Sequence, residues 1–97
     1  MRSTTPQALH RRICHYSGRV QGVGFRYTVQ NLAMCYNVGG YVRNLPDGRV
    51  ELILEGPDEE MEQLLQDVDR KMGGYINAVI QKTDPATGEF HHFAIRH

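Results

Sequence analysis

Two stretches of this sequence repeat apolar residues at helical spacing, and the segments around them alternate as strands do. The first stripe is Phe25, Val29, Leu32, Ala33 and Tyr36; the second is Met61, Leu64, Leu65, Val68 and Met72. Each stripe must be buried against something apolar. A chain of 97 residues has room for one core, and the surface left over to cover both stripes is one face of a sheet.

The strands follow from what lies between. Residues 12–17 (RICHYS) alternate imperfectly. Residues 40–45 (GYVRNL) are extended, and 49–55 (RVELILE) place Val50, Leu52 and Leu54 on one face. Pro46, Asp47 and Gly48 supply a tight turn, so these two segments form a hairpin. Residues 75–83 and 90–95 read as two further strands. The spacing predicts helices over 25–36 and from Pro57 to Met72. Asn37 suits a left-handed cap on the first, and Gly73-Gly74 stops the second. Strand, helix, strand, strand, helix, strand, with one short strand added, is the order of an α+β ferredoxin-like two-layer sandwich (βαββαβ plus an extra strand). Its sheet is expected to be antiparallel, with two helices on one face. The polar residues 1–10 read as a flexible N-terminal tail and 11–97 as the domain.

Residues 18–24 (GRVQGVG) hold three glycines and lead from a strand into a helix. Such a turn aims several backbone amides at one point, a cradle sized for phosphate. Its GxxxGxG spacing matches neither a Walker A loop nor a dinucleotide fingerprint. Arg26 falls in the first turn of the helix, where the dipole disfavours a cation by roughly 0.3–1 kcal/mol. An arginine there either swings to water, pairs with a carboxylate, or shares an anion with the loop through its planar fork. Asn44, at the end of the second strand, reads by itself as a turn-flanking asparagine.

GRVQGVGFR (residues 18–26) and GYVRNLPDGRVE (residues 40–51) closely resemble the two signature blocks of the acylphosphatases, and Phe93-Ala94-Ile95-Arg96 matches the family's ending. The similarity runs from about residue 12 to the end. It implies hydrolysis of the carboxyl–phosphate bond of acyl phosphates, with Arg26 and Asn44 as catalytic residues and Gly18, Arg19, Val20, Gln21, Gly22 and Val23 as the phosphate loop. It implies no cofactor and no metal, an acyl phosphate substrate, and inorganic phosphate as product and inhibitor. Tyr41 stands where the family often has tryptophan, Leu45 where threonine is frequent, and Asn37 where glycine is frequent. A non-catalytic anion-binding module on the same fold is the alternative.

Composition narrows the rest. Eleven basic and eleven acidic residues give zero formal charge, which disfavours a nucleic-acid partner. An RNA-binding sandwich would also need exposed aromatics on its central strands, and RVELILE offers none. No apolar run is long enough to span a membrane, and residues 1–10 lack a signal peptide's apolar segment. Cys14 and Cys35 form no CxxC motif, and Cys14 reads as a packed residue rather than a nucleophile. His91 and His92, expected on one strand, would point to opposite faces and make a poor metal pair. Arg19 borders the acyl end of a substrate or is simply solvated. Arg43 and Arg49 read as surface charges. A cytoplasmic monomer is expected.

Overall fold

The computed structural model describes residues 9–97. Five strands and two helices follow in the order β1 (Leu9–Gly18), α1 (Phe25–Ala33), β2 (Gly39–Asn44), β3 (Val50–Pro57), α2 (Asp58–Met72), β4 (Ile76–Pro85) and β5 (Phe93–Arg96), with a single 3₁₀ turn at Gly73–Tyr75. The sheet order is β4-β1-β3-β2-β5. The first four strands are antiparallel neighbours, whereas β5 joins β2 in parallel, so the sheet is mixed rather than wholly antiparallel.

Alternation decides the two faces. Cys14 and Tyr16 of β1, Val42 of β2, and Val50, Leu52 and Leu54 of β3 meet the stripes of α1 and α2 in one core, with Phe25, Val29, Met61, Leu64 and Val68 at its centre. The rings of Tyr16 and Phe25 lie 5.1 Å apart, tying the start of α1 to β1. The intervening residues Arg11, His15, Tyr41, Arg43, Glu51 and Glu55 lie on the face away from the helices and pair with one another.

The ends of the elements depart from the expected ones. β1 begins at Leu9, so the last two residues of the expected tail are strand; His10 Nδ1 sits 2.9 Å from Asp58 Oδ2. The remainder of that tail, residues 1–8, lies outside the described residues. Helix α1 stops at Ala33, because the amides of Cys35 and Tyr36 turn back to Leu32 and Ala33 and tighten the last turn. Asn37 does not take the left-handed cap: no non-glycine residue among those described has a positive φ. Its amide donates instead to Glu60 Oε1 at 2.8 Å, joining the exit of α1 to α2. Pro57 precedes the first turn of α2 rather than occupying it. The last strand is shorter than expected, and His91 and His92 precede it in a bend, so strand alternation does not govern their directions.

The connection between β4 and β5 is anchored on Glu55, whose carboxylate is only 7% exposed. It accepts from Arg11 Nε at 2.7 Å, Thr87 N at 2.8 Å, Thr87 Oγ1 at 2.9 Å and Gly88 N at 3.0 Å. The connection from β4 is thereby pinned across the sheet and delivered to the far side of β2. Burial pushes the Glu55 carboxyl up, but the bonds from Thr87, Arg11 and Gly88 outweigh it and hold the group below the usual carboxylate range. Its contribution is therefore full above the ordinary glutamate value and fades as pH falls through the lowered one. Glu55→Gln is expected to lose about 1.5–3 kcal/mol of unfolding free energy at neutral pH, the scale of charge-assisted hydrogen bonds. In urea titrations the gap to the parent chain should narrow below about pH 4. Equal stability at neutral pH would remove Glu55 from this role.

Candidate active site

β1 leaves the sheet at Gly18, where its register with β4 is interrupted between Ser17 and Gly18. The Arg19 amide donates to Tyr75 O at 2.9 Å, and the Arg19 guanidinium lies 6.0 Å from the Tyr75 ring centroid. The loop then runs through Gly22 (φ 78°) and Gly24 (φ 80°), both left-handed, with Val23 between them. A side chain at Gly24 would meet no neighbour, so its glycine answers to backbone geometry alone. Alternating left- and right-handed residues turn successive amides toward the same side.

Among the described residues, the amides of residues 20–27 donate to no backbone or side-chain acceptor; the first helical bond is from Thr28 N to Gly24 O. For Phe25, Arg26 and Tyr27 this is the ordinary condition of a helix's first turn. Six of these eight residues, with Asn44, line a concavity of about 210 Å³: Val20, Gly22, Gly24, Phe25, Arg26 and Tyr27. Arg26 projects from the first turn of α1. Its Nη1 lies 3.3 Å from His97 Nδ1 and, at the outer limit of a hydrogen bond, 3.5 Å from Arg96 O. Asn44 closes the opposite side from the end of β2, and its Oδ1 is buried without a hydrogen-bond partner. A buried amide oxygen left unpaired costs about 1–3 kcal/mol unless something donates to it.

The expected site residues divide on this geometry. Arg26, Asn44, Val20 and Gly22 line one concavity. Gly18 and Arg19 lie at the loop's root, with the Arg19 amide already committed to Tyr75, and neither lines the concavity. Gln21 and Val23 do not line it either; Gln21 turns its side chain toward the β2–β3 turn, and Val23 packs against the core. Gly24, Phe25 and Tyr27 belong to the lining and were absent from the expected set. The rule that a helix leaves its first amides free points to them, had the loop been continued past Val23. Arg43 and Arg49 pair with Glu51 and Asp47 at 2.7 and 2.8 Å. Cys14 is buried in the core, where burial pushes its thiol up to about 12, far from a working thiolate.

The acylphosphatase family model matches residues 13–95. An acylphosphatase from Nocardia farcinica is 41% identical over 80 residues, covering 81% of this chain and 80% of that one. The crystal structure of an acylphosphatase from Bacillus subtilis superposes with a TM-score of 0.79 at 33% identity, covering 92% of this chain and 99% of the other. HypF from T. kodakarensis matches with a TM-score of 0.74 and 33% identity, over 95% of this chain but 12% of its own length. The chain belongs to the acylphosphatase family. No helix among the described residues is long and apolar enough to cross a membrane.

Amides without acceptors beside a guanidinium are the kind of donor set that an anion would stabilise. Millimolar phosphate or sulfate is expected to raise Tm, by the equivalent of about 2.7 kcal/mol at a hundredfold excess over Kd. Thermal melts in chloride against phosphate at matched ionic strength test this, and coincident curves would count against the loop.

Proposed function

We propose that this chain hydrolyses acyl phosphates to a carboxylate and inorganic phosphate by in-line attack of water. The observation that carries the proposal is that Asn44, whose Oδ1 is buried and unpaired, lines the same concavity as Arg26 and the first turn of α1. Amides and a guanidinium suffice to bind an anion. A carboxamide that accepts and donates is what an attacking water needs as well.

An acyl phosphate is a mixed anhydride. Its leaving carboxylate has a conjugate acid near pKa about 4, so it departs without a proton and needs no general acid. The water oxygen bonds to phosphorus as the bond to the acyl oxygen breaks. The water's proton passes to a phosphoryl oxygen, and the bonding pair leaves with the carboxylate. Charge spreads over the phosphoryl oxygens, and the protein's task is to position and neutralise them. The amides of the residues that line the concavity and the fork of Arg26 meet that charge from fixed directions. Asn44 orients the water. The chemistry asks for no cofactor or metal, and the work of a monomer in the cytoplasm is compatible with Cys14 and Cys35 being free thiols.

HypF carries this fold within a much longer chain, so a binding-only module is the competing reading. Such a module could use the Asn44 amide as a donor to the anion but leaves no role for its acceptor oxygen. Benzoyl phosphate should turn over with and without EDTA, while p-nitrophenyl phosphate, whose leaving group is a poorer one, stays nearly untouched. Comparable rates on the two substrates, or loss in EDTA with recovery by Mg²⁺, would overturn the mechanism.

Two substitutions separate binding from chemistry. Arg26→Lys keeps the charge and loses the planar fork, so turnover is expected to drop on the order of 10²–10³-fold. Asn44→Ala should abolish turnover while phosphate affinity, measured by calorimetry, stays near that of the parent chain. Retention of most activity in Asn44→Ala would return Asn44 to the role of a turn-flanking residue.

A further inference from the structure

Gln21 reaches out of the glycine loop. Its Nε2 donates to Leu45 O at 2.9 Å and to Arg49 O at 3.0 Å. Those carbonyls close the β2–β3 turn: Leu45 N donates to Arg49 O at 2.8 Å, and Gly48 N to Leu45 O at 3.1 Å. Asn44 is the residue immediately before that closure and the last of β2, paired with Val50. One side-chain amide thus joins the segment that presents the free backbone amides to the segment that presents the Asn44 carboxamide. Among the described residues, no other hydrogen bond links residues 19–24 to residues 44–49.

Stability alone does not account for this bridge. Gln21 is exposed, and two neutral hydrogen bonds made in competition with water are largely offset by freezing a long side chain in one rotamer. What the bridge determines is distance. The anion cradle is held from one side by β1 and α1, and Asn44 arrives from the hairpin. In-line attack requires the phosphorus and the water to be held in register, and a displacement of about 1 Å can cost about a hundredfold in rate.

We infer that Gln21 is a positioning residue: its side chain sets the separation between the anion cradle and Asn44, touching neither the phosphate nor the water. This rests on the reading of the site given above.

The experiment compares the parent chain, Gln21→Met and Gln21→Ala. Methionine keeps the length of glutamine and removes its donors; alanine guards against new contacts made by the methionine. For each chain the measurements are kcat and KM on benzoyl phosphate, the inhibition constant of inorganic phosphate, and Tm. Both variants are expected to lose about tenfold or more in kcat, by the sensitivity of a near-attack geometry to small displacements. The phosphate inhibition constant should stay within about twofold of the parent value, and Tm should be nearly unchanged, because the cradle itself is intact. A kcat within about twofold of the parent in both variants overturns the inference. So does a fall in kcat matched by an equal weakening of phosphate or by a large drop in Tm, since either means general loosening of the loop. A parent chain that binds phosphate yet does not turn over benzoyl phosphate defeats the hydrolase reading itself, and the inference with it. That outcome is distinct from an active parent with indifferent variants.

Discussion

At Gly18 the first strand passes so close to its neighbour that a Cβ would stand 2.4 Å from Tyr75 O and 2.7 Å from Asn77 N. Only glycine fits, and its φ of 126° is one that side chains disfavour in any case. One residue on, the Arg19 amide bonds to Tyr75 O. The strand can neither continue straight nor drift outward. The loop is launched over the edge of the core, and Phe25, packed on Tyr16, catches it on the far side. Between those two fixed points the chain must cover six residues, 19 to 24, in a compact curve, and the left-handed Gly22 and Gly24 let it do so. A loop held at both ends would need little reorganisation to meet the anion proposed for it, which is where preorganised donors derive their strength.

The same economy governs charge. Arg26 stands in a helix's first turn, against the dipole, yet it can draw on the Arg96 carbonyl and the His97 ring nitrogen. Those two groups are near because Arg96 is itself stacked 4.0 Å from the centroid of Tyr41, whose hydroxyl donates to Glu51. The end of β5 is held there by its pairing with β2, and Glu55 holds the preceding connection across the sheet. A carboxylate on the open face, far from the concavity in sequence, therefore bears on how the arginine is supported.

Much of this was legible in the residues. Both stripes, the hairpin and its turn, and the helix start at Phe25 follow from local periodicity and turn chemistry, which act within a few residues. Arg26 stood out because it violates a local rule, and Asn44 through its place in the second resembling block. What escaped was decided by contacts distant in sequence. The connection that leads to the parallel β5 is tied to Glu55 through Thr87 and Gly88. Asn37 lacks its left-handed cap because Glu60 supplies a partner for its amide. Gln21 looked like one more loop amide, since nothing in the string GRVQGVG says that a side chain will cross to Leu45 and Arg49. The lining by Gly24, Phe25 and Tyr27 was within reach of reasoning, for it follows from helix geometry alone.

The position of β1 has a consequence in time. It lies in the interior of the sheet, and its partners are residues 50–57 on one side and 76–85 on the other. As the chain leaves the ribosome, its first strand waits for more than half of the sequence before it gains one neighbour, and longer for the second. Loop closure over such separations must precede the contacts that reward it, which places this topology toward the slow end for a domain of its size. The glycine loop is rooted on Tyr75, so it is among the last features to be completed. A chain arrested before β4 would have α1, the hairpin and the arginine, but no fixed point from which the loop could spring.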